Sequence, residues 1–197
     1  MHNQVLPMPI LFAFKIINIE CSSTGMEEHQ ELKNSFELLK ATMASKKTAS
    51  SEFKKEQLNQ FIKMLTDEGN TINEAIYKDL KKEPGDVMLS EILLCTTEAR
   101  HAISNLDSWM GKQYAGKRLA SMLDTAYIRK DPKGVALIIA PWNIPLQMCL
   151  SPMVSLIASG CVGIVKPSEM APCTSACIKC LLKNIWTQVA TWSLKVL

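Results

Sequence analysis

Three groupings in this 197-residue sequence carry side chains able to do chemistry. In Pro141-Trp142-Asn143-Ile144-Pro145, the primary amide of Asn143 offers an N–H that can donate to a developing oxyanion. In Lys166-Pro167-Ser168-Glu169, an ammonium and a carboxylate stand close enough to donate to and accept from the vicinal hydroxyls of a sugar. The plainer reading of both is a turn, with Asn143 capping the next helix and Lys166 and Glu169 solvated. The third grouping is Cys173, Cys177 and Cys180, spaced C-x3-C-x2-C. That spacing puts thiols on one face of a helix, or on a loop around an iron–sulfur cube. Cys95 and Cys149 fall on helical stripes and read as core, whereas Cys21 has no evident partner. His2, His29 and His101 are scattered, so no zinc site is expected.

The elements that must position these groups follow from hydrophobic periodicity. Leu32, Phe36, Leu39 and Met43 make one helical stripe, and Ser45 to Ser51 is a polar connection. Leu58, Phe61, Ile62 and Leu65 make a second, with Gly69 as its stop signal. Ile72, Ile76 and Leu80 make a third, ended by Pro84 and Gly85. The longest stripe runs from Met88 through Ile92, Cys95, Ala99, Ile103 and Leu106 to Met110. Near residue 125 the period changes. Thr125 to Lys130 is β-prone, and Asp131 to Gly134 is a turn signal. Val135 to Ala140 is an unbroken apolar run, as expected of a strand buried on both faces. Leu146 to Ser159 reads as a buried helix capped by Gly160, Val162 to Val165 as a second strand, and a helix follows from about Pro172. Strand, helix, strand, helix predicts a βαβ unit with a parallel sheet. In such sheets ligands bind beyond the carboxyl ends of the strands, which is where Asn143 and Lys166 to Glu169 fall.

Composition bounds the rest. There are 22 basic and 19 acidic residues, a net charge of +3, with 21% charged and 47% hydrophobic residues. These values exclude a disordered or collagen-like chain. The basic residues form no stripe, so no nucleic-acid partner is expected. Seven cysteines without a convincing secretory signal read as free thiols. The apolar run Val5 to Ile19 holds Pro7, Pro9 and Lys15 and is shorter than a membrane span, which takes roughly 20 residues. The compartment expected is the cytoplasm.

The run Gly134 to Glu169, GVALIIAPWNIPLQMCLSPMVSLIASGCVGIVKPSE, resembles the N-terminal half of the coenzyme domain of the aldehyde dehydrogenases. It is most similar to the class-3 and fatty-aldehyde branch. Trp142-Asn143 and Lys166-Pro167-Ser168-Glu169 are the anchors, jointly specific and singly weak. The resemblance implies an α/β fold: amphipathic helices, then the first βαβ unit of a Rossmann-like parallel sheet, truncated. Its span implies an unassigned segment 1–30, a partial coenzyme domain 31–180 with an oligomerisation-region strand near 125–130, and a divergent tail 181–197. It implies NAD(P)-dependent oxidation of an aldehyde to an acid, with association with the endoplasmic reticulum membrane as the alternative compartment. Asn143 would steady the oxyanion. Lys166, Ser168 and Glu169 would hold the adenosine ribose, and Ile139, Ala140 and Trp142 would line the cofactor. A carboxylate at Glu169 favours NAD, with NADP possible.

The departures carry expectations of their own. Ile144 replaces an aromatic residue, Cys161 replaces an asparagine, and Gly163 weakens its strand. After about Lys179 the text leaves the family pattern and includes no Gly-Gln-x-Cys nucleophile or base glutamate, so the chain is expected to be inactive alone. The alternatives are a non-catalytic product pairing with a full-length family subunit through Thr125 to Lys130, a homodimer, or an iron–sulfur protein using the three cysteines of the third grouping. With two strands only, the sheet is expected to expose apolar surface.

Overall fold

A computed structural model describes residues 26–114, 126–186 and 195–196. The run Val5 to Ile19, Cys21 and Thr125 lie outside the described residues.

A helical layer comes first: α1 (Met26–Ala44), α2 (Ser51–Asp67), α3 (Gly69–Leu80), α4 (Pro84–Val87) and α5 (Leu93–Met110). The Ser50 hydroxyl accepts from the Phe53 N–H and so caps α2. Gly69 opens α3 rather than merely ending α2, and Pro84 starts α4 at the first helical position, where its missing N–H costs nothing. The long stripe expected from Met88 is interrupted. Met88–Ile92 forms a π turn, with the Leu93 N–H bonded to the Met88 carbonyl five residues back. Inside the stripe, Ile92, Cys95, Ala99 and Leu106 are buried as expected, but its two ends, Met88 and Met110, are exposed.

A two-stranded antiparallel ribbon follows, β1 (Gln113–Tyr114) against β2 (Tyr127–Ile128). The β-prone stretch 125–130 thus has a partner, held by an edge-to-face contact of Tyr114 with Tyr127. Next come β3 (Val135–Ile139), α6 (Pro145–Ser159), β4 (Val162–Lys166), α7 (Pro172–Trp186) and β5 (Lys195–Val196). The three strands are parallel in the order β3-β4-β5. The strand–helix–strand–helix expectation holds. The third strand falls in the divergent tail 181–197, to which no element is assigned from the sequence.

Alternation along the strands assigns the faces. Val135, Leu137, Val162 and Ile164 pack with Leu32, Leu39 and Met43 of α1. Ala136, Ile138 and Val165 join the larger core built with α2, α5, α6 and α7. Both faces of the sheet therefore carry helices, and the apolar exposure expected of a bare sheet is not found along β3 and β4 below their carboxyl ends. Exposed apolar side chains collect elsewhere, at Met88, Leu89, Leu93 and Leu94. Gly163 has a packing reason: a Cβ there would lie 2.6 Å from Leu156 Cδ1 and 3.1 Å from the Ala136 carbonyl oxygen, so its absence lets α6 settle onto β4. Gly160 ends α6 in the left-handed region, φ 78°, which glycine alone enters freely.

Candidate functional site

The two strand ends meet. Ile139 is in register with Lys166, and the Ala140 N–H donates to the Lys166 carbonyl at 3.0 Å. Ile139 and Lys166 share a face by alternation, the face that α1 covers lower down. Beyond that cover Ile139, beside the lysine in register, is 62% exposed, and Trp142, three residues on, is 52% exposed. The Lys166 ammonium reaches Glu169 Oε2 at 3.1 Å. The Glu169 carboxyl is held below its ordinary range by a hydrogen bond from its own backbone N–H and by Lys166. It is ionised at neutral pH and presents an acceptor next to a donor.

The remaining sequence-derived candidates divide. Asn143 is exposed at the end of the β3–α6 turn, and its amide makes no hydrogen bond among the described residues. It does not cap α6. The capping position is Ile144, which supplies no side-chain bond. Ala140 is buried in the core and can meet a ligand only through its backbone. Ser168 is buried as well, and its hydroxyl accepts from the Met170 N–H while its carbonyl accepts from the Ala171 N–H and the Ser175 hydroxyl. Its side chain therefore builds the loop that carries Glu169.

Two groups that sequence reasoning missed hold this edge together. Glu91, from the π turn, is completely buried. Its Oε2 accepts from the N–H groups of Leu146 (2.8 Å) and Gln147 (3.4 Å), and its Oε1 from Lys82 Nζ (2.8 Å). Asp79, near the end of α3, does the same for α7, accepting from the N–H groups of Cys173 (3.1 Å) and Thr174 (2.7 Å) and from the Thr174 hydroxyl (2.8 Å). Burial pushes the Asp79 carboxyl up, but the bonds from Thr174 and Cys173 outweigh it and hold the group below its ordinary range. Both carboxylates sit where helix N–H groups and dipoles favour negative charge. They are 55 and 95 residues from the amides they serve, so no local pattern could reveal them.

All three cysteines of the third grouping lie on the regular helix α7, not on a loop. Cys177 packs against the core, its thiol pushed up to about 11 by burial and the neighbouring Cys180. Cys173 is held up by its contact with Asp79, and Cys180 is exposed. Cys95 and Cys149 are core residues, as expected, both thiols pushed up to about 12 by burial.

A parallel strand–helix–strand–helix unit with its polar groups at the carboxyl edge defines a Rossmann-like α/β chain. Residues 26–187 match the model of the aldehyde dehydrogenase family, and the chain belongs to that family. Among similar curated proteins, aldehyde dehydrogenase family 3 member B1 of Rattus norvegicus is 41% identical over 65% of this chain and 27% of its own length. Member B3 of Mus musculus is 37% identical over 76% of this chain and 31% of its own. The substrate-bound Staphylococcus aureus AldH superposes with a TM-score of 0.80 at 31% identity, covering 84% of this chain and 36% of that one. A succinic semialdehyde dehydrogenase from Streptococcus pyogenes, solved with NADP+, shares the fold at a TM-score of 0.74 and 19% identity. The chain thus spans between about a quarter and a third of the length of the curated relatives described. Among the described residues no helix is long and apolar enough to cross a membrane.

Proposed function

We propose that this chain provides part of the nicotinamide-dinucleotide cleft and the oxyanion donor of an aldehyde-oxidising site. The observation that carries the reading is the meeting of the two strand ends, with Ile139 in register with Lys166 and Asn143 three residues beyond the last inter-strand bond. The donor set fits the cofactor. Lys166 supplies N–H donors and Glu169 a carboxylate acceptor for adjacent ribose hydroxyls, while Ile139 and Trp142 offer apolar surface to the rings above. An ionised Glu169 repels a 2′-phosphate, which supports NAD over NADP. When bound, the nicotinamide group accepts hydride from the substrate carbon.

Asn143 has the complementary duty. Its amide is free of internal partners among the described residues, so its N–H can donate to the aldehyde oxygen as negative charge gathers there, with little reorganisation required first. No nucleophile is assigned within the described chain, because none of its cysteines stands in a Gly-Gln-x-Cys motif, and the thiols of Cys95, Cys149 and Cys177 are in addition pushed up by burial. In this reading Ser168 acts through the loop and Ala140 through its backbone. Residues 31–180 form the partial coenzyme domain, and the β1–β2 ribbon is the surface through which the chain pairs with another family subunit.

The test is titration of the chain with NADH, read by nicotinamide fluorescence. Binding is expected, and Lys166→Ala weakens it by roughly ten- to a hundredfold, the effect of losing hydrogen bonds to a charged donor. An NADH affinity indifferent to Lys166→Ala overturns the assignment of the ribose site.

A further inference from the structure

We infer that Glu91 is a positioning residue for Asn143, the group that frees its amide and fixes the turn from which it projects. This rests on the reading of Asn143 as the oxyanion donor. A helix normally takes its cap from the residue just before it, whose side chain accepts from the second and third N–H groups. Before α6 that position is Ile144, which has nothing to offer, and Asn143 is the nearest polar side chain. Left alone, those N–H groups would compete for the Asn143 amide oxygen, and an amide drawn into a cap cannot also be aimed at a substrate. Glu91 removes the competition. Its Oε2 takes the N–H groups of Leu146 and Gln147, the same pair a local cap would take, from a distance of 55 residues.

Three further observations make this an arrangement rather than a passing contact. The π turn at Met88–Ile92 inserts a residue into the helical ladder, and Glu91 lies within it with its side chain turned inward. The carboxylate is wholly buried, so it cannot be met by water in place of α6. Its second oxygen is taken by Lys82, the cation that completes the site. The lysine also serves the electrostatics. A bare carboxylate behind the turn would oppose charge building at an oxyanion, and the Lys82 ammonium at 2.8 Å cancels it. Pro145, at the first helical position, has no N–H to satisfy, and the next two N–H groups, of Leu146 and Gln147, both go to Glu91.

The experiment is NMR on the full chain, with the Asn143 side-chain NH2 pair assigned by its loss in Asn143→Ala. In Glu91→Gln, hydrogen exchange at Leu146 and Gln147 is expected to speed up at least about tenfold, the Asn143 NH2 pair to shift and broaden, and the β4 amides Val162 to Val165 to keep their protection. Removing one member of a buried ion pair can unfold a protein, so the same spectra are taken on K82M/E91M, in which both charges leave together. The same local changes are expected there. An Asn143 pair that stays sharp and unmoved in both, while Leu146 and Gln147 exchange faster, makes Glu91 a cap only and overturns the inference. Protection lost evenly through β4 and α6 in both variants overturns it too, since the role is then structural. NADH titration of the same samples keeps the two readings apart: it reports on Lys166 and Glu169, and its failure would sink the cofactor assignment while leaving the Asn143 result to stand.

Discussion

Removing the Asp79 side chain strips α7 of its cap and is the sharpest stability test the fold allows. Asp79→Ala deletes two bonds from backbone N–H groups and one from the Thr174 hydroxyl. Losing a cap costs about 0.5–2 kcal/mol, and the hydroxyl bond adds about 1 kcal/mol, so a loss of about 2 kcal/mol is expected. With a urea slope of about 2 kcal/mol per molar, the midpoint falls by about 1 M at unchanged slope. Thr174→Val removes the hydroxyl bond alone and should cost about half as much. The pH dependence fixes the sign. The folded carboxyl lies below its unfolded value, so its contribution is complete above the ordinary Asp range, near 3.9, and is lost as pH falls through the folded value. The gap between the parent and Asp79→Asn should therefore be largest at neutral pH and close in acid. A midpoint moved by less than about 0.3 M, or a gap that widens in acid, refutes the reasoning.

Two other outcomes follow. Gly163→Ala should destabilise by about 1–3 kcal/mol, because its Cβ meets Leu156 Cδ1 at 2.6 Å, and Leu156→Ala in the same chain should cost less than the sum of the two changes, as read by denaturation. Alkylation followed by mass spectrometry should label exposed Cys180 first and reach Cys95 and Cys149 only under unfolding conditions, since burial holds both thiols near 12.

Strands β3 and β4 were legible because their apolar runs are short and set off by turn signals, Asp131 to Gly134 before the first and Gly160 before the second. The positions of Asn143, Lys166 and Glu169 at one edge followed from strand polarity alone. What the text concealed is long-range or compensated. Leu39 reads as one more member of a helical stripe, and nothing local says that its helix lies over Val162 and Ile164. Glu91 and Asp79 look like solvated charges on helices, since a carboxylate is buried only where distant N–H groups await it. Gly163 reads as a weak point in a strand until Leu156 is seen against it. Ser168 sits inside the most recognisable motif, yet its hydroxyl serves its own loop.

The capping carboxylates have a consequence for synthesis. A ribosome delivers the layer bearing Asp79, Glu91 and Thr48 before it delivers α6 and α7. Glu91 completes the start of α6, Asp79 the start of α7, and the Thr48 hydroxyl the Gly160 carbonyl 112 residues onward. The early helices thus carry two carboxylates and one hydroxyl that the ends of the later helices bond once they dock.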